Sequence, residues 1–522
     1  MIIGISGSRQ GPSAALLDGR ALAASEESRL ARLRLSERTT FPRHGLRELA
    51  AFLGRRVDDI TAVAVTSGGQ FPGRDDVETV DHHLAHAAYA FHASGFDSAA
   101  VVVCDSATER GWTAWRGVAD GLTRVEDDLG AFPLAHLYSD LTGALGLAPG
   151  RDEHIVEAMA RVGRATEHPV AAAFAVHDEG LIVDARWRER LAVTPGDQGS
   201  AGTPAQVAAA TAVQAALAEA LLALLARVQR ATGATRVCLS GGLFYNTHFT
   251  TEAATRGPFA EVFVPPHPGN GGAAIGAALS LTRSSDRSET RSEDTFPDRH
   301  IPHPRSPHHD VTTSPDLPSP FLGPSFTDEQ IKATLDNCKL VYTLMDDERV
   351  VQMAVAAMMR GALVGWFDGR MEWGPRALGH RSVLAGASGP HVLDNLNGFL
   401  KQRPWYRAYG VSVPASRVQE LFEGPPVSDY MQFEYRPRDP RQFAALLPPG
   451  TTRLRVHTVD ARGPRMLRLL EVAEAQSGAP VLVNTSFNGF HEPLVCTPRD
   501  AVRVFYGTGL DVLSLGRFVI RK

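Results

Sequence analysis

Residues 1–5 are continuously apolar, the pattern of a strand buried on both faces, and the small polar run 6–11 reads as the loop that leaves it. Residues 13–17 and 20–24 flank Asp18-Gly19, a pair favoured in two-residue hairpin turns, so a β-hairpin is expected there. Further strand patterns lie at 101–105, 236–240 and 262–266. Helical patterns fall between them. The run from Asp81 to Ala90 is small and alanine-rich, 204–227 is a long Ala/Leu helix broken by Gln206, Gln214 and Glu219, and 271–278 opens a glycine-rich helix. Residues 283–322 are rich in Ser, Arg, Asp, His and Pro with few aliphatics, so they cannot bury enough surface to order themselves. Beyond them Thr327-Asp328-Glu329-Gln330 predicts a capped helix start, followed by a helix over 346–360, a strand over 362–367 and a turn at Asp368-Gly369-Arg370. The pattern is an α/β chain in three parts: a domain over 1–282, a linker over 283–322 and a second domain over 323–522.

Composition narrows the classes. The 522-residue chain is 43% hydrophobic and 21% charged, enough to build sizeable cores. Its net charge of −5 gives no footprint for nucleic acid. The four cysteines (Cys104, Cys238, Cys338, Cys496) are widely spaced without a CxxC pair, which fits free thiols in a reducing cytoplasm. No continuous apolar run reaches membrane-spanning length and no leader pattern opens the chain, so neither a membrane partner nor export is expected.

Two constellations carry candidate chemistry. His82 and His86, four apart on a helix, face the same way and can share one transition-metal ion. Asp105 at the end of one strand, and the loop His267-Pro268-Gly269-Asn270 after another, supply the oxygen and nitrogen donors of a mixed site. Gly241-Gly242 with Asn246, between a strand and a helix, suits close approach of a nucleotide. The second constellation is cationic. Arg376 and Arg381 sit on a Gly/Pro scaffold, Lys401, Arg403 and Arg407 follow, and a strand ends in Asn484-Thr485-Ser486-Phe487-Asn488. Arginine forks and a lysine point charge among Trp373, Leu378, Trp405 and Phe487 make a site for a small dianion and a triphosphate.

These residues, taken in order, resemble the NodU/CmcH family of carbamoyltransferases. The likeness runs from the hairpin and Glu26-Glu27, through His82-His83-Leu84-Ala85-His86, Asp105, Gly241-Gly242 and Gly276-Ala277-Ala278. It continues to the GPRALG run at 374–379, Lys401 with Arg403 and Arg407, and the NTSFN run at 484–488. The resemblance implies an actin/Hsp70-like N-terminal domain of the tRNA threonylcarbamoyl transferase type and a YrdC-like α/β C-terminal domain. It implies that ATP, with Mg²⁺, and carbamoyl phosphate are joined into carbamoyl adenylate. Arg376, Lys401 and Arg407 would bind the phosphates, with Arg381, Arg403, Asn484 and Ser486 as further contributors. An iron, Fe²⁺ or another divalent transition metal, would sit on His82, His86, Asp105 and Asn270. The carbamoyl group would then pass to a hydroxyl of a small-molecule natural product, as in antibiotic biosynthesis. A homodimer is compatible with the family.

Two departures stand out against that resemblance. The family's first loop carries a histidine where this chain has Gln10, which cannot act as a base, so His267 is the candidate substitute. The fourth metal ligand, an aspartate in the family, is here Asn270, a neutral and weaker donor. They motivate an alternative reading, a degenerate protein that binds nucleotide and carbamoyl phosphate without acceptor transfer. A hydrogenase-maturation type enzyme and a sugar kinase are the remaining readings. The first would carry zinc-finger cysteines, and the second would leave the GPRALG and NTSFN runs without a role.

Overall fold

The structure, a computed structural model, describes residues 1–7, 12–19, 21–32, 41–66, 71–125, 129–163, 168–193, 202–288, 319–389 and 391–522, with backbone alone over 282–288. Gln10 and residues 289–318 of the expected linker lie outside them. The chain divides into two compact units, one of residues 1–31 and 37–320, the other of residues 32–36 and 321–522.

The first unit begins with strands β1 (Ile2–Ser6), β2 (Ser13–Asp18) and β3 (Ala21–Glu26), then helices α1 (Glu27–Leu30) and α2 (Arg43–Phe52), and strands β4 (Ala62–Val65) and β5 (Val77–Thr79). They form a sheet ordered β3-β2-β1-β4-β5, antiparallel over the first three strands and parallel over the rest. The hairpin forms as expected, but Asp18 pairs with Ala21, so Asp18 closes a strand and the turn sits one residue later than Asp18-Gly19 suggested. Helix α3 (His82–Ser94) leads to β6 (Ala99–Cys104), β7 (Trp112–Val118) and β8 (Gly121–Arg124). Next come α4 (Leu134–Ala144), α5 (Glu153–Val162), the hairpin β9 (Phe174–His177) and β10 (Gly180–Val183), and α6 (Pro204–Thr232). Strand β11 (Arg236–Ser240), α7 (Thr247–Arg256), β12 (Glu261–Phe263) and α8 (Asn270–Ser288) complete the unit. The second sheet, β12-β11-β6-β7-β8, repeats the plan of the first: three antiparallel strands, then two parallel ones. This doubled sheet agrees with the plan expected of an actin/Hsp70-like domain.

Helices α3 and α8 pack on one another, α8 against the first sheet and α3 against the second. Two glycines permit the closeness. A Cβ on Gly4 would lie 1.9 Å from Ala274 O, and one on Gly276 would lie 1.8 Å from Ala85 O. The small residues of both helices are therefore a packing requirement. Helix α8 continues to Ser288, six residues into the segment expected to be linker. Helix α6 is long and apolar enough to cross a membrane by length and composition, at a mean hydropathy of 1.8, yet 56% of that window is buried in the unit. Its buried leucines and alanines, from Ala209 to Val228, are core, which explains their number.

The second unit is built on one mixed ten-stranded sheet. In chain order its strands are β13 (Thr343–Leu344), β14 (Val364–Phe367), β15 (Arg381–Gly386), β16 (Gly410–Pro414), β17 (Phe422–Glu423), β18 (Glu434–Pro437), β19 (Leu454–Val459), β20 (Leu482–Ser486), β21 (Val512–Leu515) and β22 (Phe518–Arg521). Their spatial order is β13-β22-β21-β14-β15-β20-β16-β19-β18-β17. The expected capping box is present: Gln330 N donates to Thr327 Oγ1 at 3.3 Å, and Thr327 N donates to Gln330 Oε1 at 2.9 Å. The helices Asp347–Met359 and Pro464–Ser477 bury Val350, Ala354, Met358, Leu469 and Ala473 on the sheet residues Val364, Leu384 and Leu482.

Candidate active site

Helix α3 starts where Asp81 accepts Leu84 N at 2.8 Å, a cap that sets His82 as the first helical residue and puts His86 one turn on. Their Nε2 atoms lie 3.2 Å apart. Asp105, just past β6, closes the group: its Oδ1 is 3.6 Å from His82 Nε2 and its Oδ2 3.8 Å from His86 Nε2. All three are buried, and one donor atom from each falls within 4.8 Å of the others. Nitrogen, nitrogen and carboxylate oxygen converging on one point suit a divalent transition metal.

The surroundings fix these donors. Ser240 Oγ donates to Pro268 O at 3.1 Å, so its lone pair accepts His86 Nδ1–H at 3.2 Å and leaves the His86 Nε2 lone pair facing the cradle. Asp105 accepts Ala107 N and Gly242 N, each at 2.8 Å. Burial opposes its charge, but the hydrogen bond from His82 and the nearby imidazoles hold its carboxyl well below the usual range. Burial, with His82 alongside, pushes His86 down to about 3, keeping the imidazole neutral as a ligand must be. His82 Nδ1 is buried and makes no hydrogen bond among the described residues. His83 turns elsewhere, to Thr108 Oγ1 at 2.9 Å. Asn270 opens α8 within hydrogen-bonding reach of His86, where the fourth ligand was expected.

The other expected residues of this unit have defined places. Gly241, at φ +102°, passes so near β6 that a Cβ would lie 2.1 Å from Cys104 O, and Gly242 N holds Asp105. The paired glycines thus buttress the metal cradle. Asn246 is spent on the protein: its Oδ1 accepts His248 N at 3.0 Å, and its Nδ2 donates to Tyr138 Oη and Gln214 Oε1, each at 2.8 Å. His267 has both ring nitrogens engaged, Nε2 with Glu26 Oε1 and Nδ1 with Tyr245 Oη, each at 2.7 Å. In this arrangement no ring nitrogen is open to take a proton from an acceptor.

In the second unit, the wide helical turn Asn395–Lys401 delivers Lys401 to the end of β20. Its Nζ donates to Ser486 O at 2.5 Å, Asn488 Oδ1 at 2.6 Å and Asn488 O at 3.1 Å, with Ser486 Oγ at 3.4 Å. Burial and then Arg403 pull the Lys401 ammonium well below its ordinary range. Arg403 lies over the Tyr409 ring, 4.3 Å from its centroid, and donates to Tyr409 Oη and Asn397 Oδ1. Asn397 Nδ2 donates to Arg407 O at 3.3 Å, tying that segment to the same turn. Arg376 and Arg407 are half-buried.

Arg381 belongs to a different place. It is 0% exposed, 3.6 Å over the Phe367 ring, and its guanidinium donates to Asp368 O, Gly369 O, His380 O and Pro324 O. Burial brings it down to about 10. It braces backbone carbonyls, so the expectation that it binds phosphate is corrected. Asn484 is also buried: its Nδ2 donates to Ser412 Oγ at 3.0 Å, while its Oδ1 has no hydrogen bond among the described residues. Sequence reasoning passed over Ser240, Tyr245 and Asn488, and gave Glu26 no role. Ser240 stands at a strand end before the paired glycines, and Asn488 closes the NTSFN run, so both carried a signal.

The profile described as "Carbamoyltransferase N-terminus" matches residues 46–279, and "Carbamoyltransferase C-terminus" matches 355–522. Nodulation protein NolNO of Sinorhizobium fredii is 26% identical over 98% of this chain and 79% of its own length. Nodulation protein NolO of Bradyrhizobium diazoefficiens is 32% identical over 56% of this chain and 50% of its own. The 3'-hydroxymethylcephem-O-carbamoyltransferase of Amycolatopsis lactamdurans is 31% identical over 53% and 47%. The two profiles fall on the two units that carry the His-His-Asp cradle and the Lys401 cluster. The chain belongs to the carbamoyltransferase family and is a transferase of that kind.

Proposed function

We propose that this protein is an ATP-dependent O-carbamoyltransferase that works in two stages. In the first, the second unit, read as YrdC-like, takes ATP with Mg²⁺ and carbamoyl phosphate: water splits carbamoyl phosphate into carbamate and orthophosphate, a carbamate oxygen attacks the α-phosphorus of ATP, and pyrophosphate leaves carbamoyl adenylate behind. Arg376 and Arg407, half-buried, are the cations that meet the phosphates. Lys401 supplies positive potential from behind, since its own donors already serve Ser486 and Asn488, and Arg403, whose Nε serves Asn397 and Tyr409, adds a second charge beside it. In the second stage a hydroxyl oxygen of a small natural product attacks the carbamoyl carbon, the bond to AMP breaks, and the hydroxyl proton leaves. In the first unit the N–H groups of Gly241 and Gly242 are taken by Pro268 O and Asp105, so these glycines serve the metal cradle in place of the nucleotide contact expected of them.

The observation that carries this reading is the buried His82–His86–Asp105 cradle inside the region that matches the carbamoyltransferase N-terminal profile. These three residues, with Asn270, would hold the metal, which supplies Lewis-acid polarisation when bound. The named cephem relative acts on a hydroxymethyl group, which favours a natural-product alcohol as the acceptor class. The second reading, a binding protein that has lost transfer, is favoured by Asn270 in place of an acidic ligand and by the closed hydrogen bonding of His267.

Pyrophosphate release on mixing the protein with ATP, Mg²⁺ and carbamoyl phosphate tests the proposal. Release that depends on carbamoyl phosphate and vanishes in Arg376→Ala supports it. No release from folded, metal-loaded protein contradicts it.

A further inference from the structure

The loop between β12 and α8 is held at four successive residues, and the holding groups form a chain that runs away from the metal cradle. Glu26, at the end of β3, is the far end. Burial opposes its charge, but Arg29, at 3.1 Å and 3.2 Å, and His267 bring it down to about 2, so it is a carboxylate. Glu26 Oε1 therefore accepts His267 Nε2–H at 2.7 Å. The other ring nitrogen of His267, Nδ1, is hydrogen-bonded to Tyr245 Oη at 2.7 Å. Tyr245 Oη in turn accepts the backbone N–H of Gly269. Pro268 O takes Gly241 N at 2.7 Å and Ser240 Oγ at 3.1 Å, and Asn270 reaches His86. The fit is tight: a Cβ on Gly269 would lie 2.4 Å from Tyr245 Oη, and one on Gly271 2.2 Å from His267 Nε2.

We infer that Glu26, His267 and Tyr245 form a positioning strut for the metal cradle. The strut ties strand β3 of the first sheet to the 267–270 loop, so that Asn270 and the Ser240–His86 hydrogen bond are set before a metal arrives. Its three members are positioning residues; they act through the loop, and none of their donors faces the ion. Outer groups that orient ligands are typically worth about 10–100-fold in metal affinity. A neutral fourth donor such as Asn270 depends on that placement more than a carboxylate would, because it has no charge to draw the ion in.

The inference rests on the His82–His86–Asp105 cradle being a metal site, and the test separates the two. Binding of Co²⁺ to the full chain is measured by calorimetry and by the visible band of the ion. Tyr245→Phe removes both hydrogen bonds of the phenol and is expected to weaken Co²⁺ binding about 10–100-fold. Glu26→Ala should do the same, whereas Glu26→Gln, which keeps an acceptor for His267 Nε2–H, should stay near the parent. Should Tyr245→Phe fail to fold, the two Glu26 variants carry the test. Parent-like Co²⁺ affinity in folded Tyr245→Phe or Glu26→Ala overturns the strut. Equal weakening in Glu26→Gln and Glu26→Ala overturns it as well, since the hydrogen bond would then not be what matters. A parent that takes up no Co²⁺ overturns the metal reading itself.

Discussion

The two units meet the same problem, holding charge in a buried place, in opposite ways. In the first, the surroundings use up the outer atoms of His86 and Asp105 and leave the inner ones facing each other. Ser240 takes His86 Nδ1, and Ala107 N and Gly242 N take Asp105, while the two Nε2 atoms stay 3.2 Å apart. In the second, the cations are turned onto the protein: Lys401 Nζ already serves oxygens of Ser486 and Asn488, and the terminal nitrogens of Arg381 serve four backbone carbonyls. Open lone pairs invite an ion. A cation already held by its own protein offers an anion potential more than donors.

The sharpest way to break this comparison is to open the first site. His82→Ala removes a ligand and should cost more than about 100-fold in Co²⁺ affinity, beyond what an outer group costs. It should leave carbamoyl-phosphate-dependent pyrophosphate release unchanged. A smaller loss in Co²⁺ titration would mean that the cradle is not the site.

Next come the cations of the second unit. Arg381→Met leaves buried carbonyls without their donor and should lower unfolding free energy by about 3–5 kcal/mol. Its KM for carbamoyl phosphate, measured well below the melting temperature, should hold. Arg376→Ala should do the reverse: an unchanged denaturation midpoint and pyrophosphate release down by at least about 100-fold, as for loss of a phosphate clamp. A raised KM in Arg381→Met would restore it to the binding site.

Acid sharpens the same contrast. Burial pushes His457 down to about 3 and His83 to about 4, so both are neutral in the fold and take up protons on unfolding. Below the ordinary histidine value near 6.5 the unfolded chain binds more protons than the folded one. Stability of the metal-free protein is therefore full above that pH and falls as the pH drops through the window from 6.5 towards 3 and 4. Each group contributes up to about 1.4 kcal/mol per pH unit there. Denaturant midpoints between pH 7 and 5 check this, and a flat profile would contradict it. The smallest effect is a gain: Asn270→Asp adds a carboxylate to the cradle and should tighten Co²⁺ binding by about 10-fold.

The sequence was most legible where spacing alone decides geometry. His82 and His86 fall on one face because a helix repeats every 3.6 residues, and Asp105 follows from a strand that must end. The Thr327 cap was readable for the same reason, since its partners are three residues apart. Contacts made across the fold were not readable. Arg381 looked like a phosphate fork because its neighbours are polar and glycine-rich, yet strand pairing at β15 turns it onto Phe367 and buried carbonyls. Asn246 looked like a nucleotide contact and instead caps α7, held by Tyr138 and Gln214 from 108 and 32 residues away. The partners of His267 lie 241 and 22 residues off, so nothing local could announce that both nitrogens are used. The doubled sheet explains part of this: its two halves place distant strand ends beside one helix pair.

The most direct test crosses the two sites in one experiment. Pyrophosphate release and Co²⁺ binding are measured side by side for the parent, His82→Ala and Arg376→Ala. The account predicts that Arg376→Ala loses release and binds Co²⁺ as the parent does, while His82→Ala loses Co²⁺ and keeps release. Release that survives in Arg376→Ala, or that disappears in His82→Ala, would contradict a two-stage carbamoyltransferase with adenylate formation in the second unit.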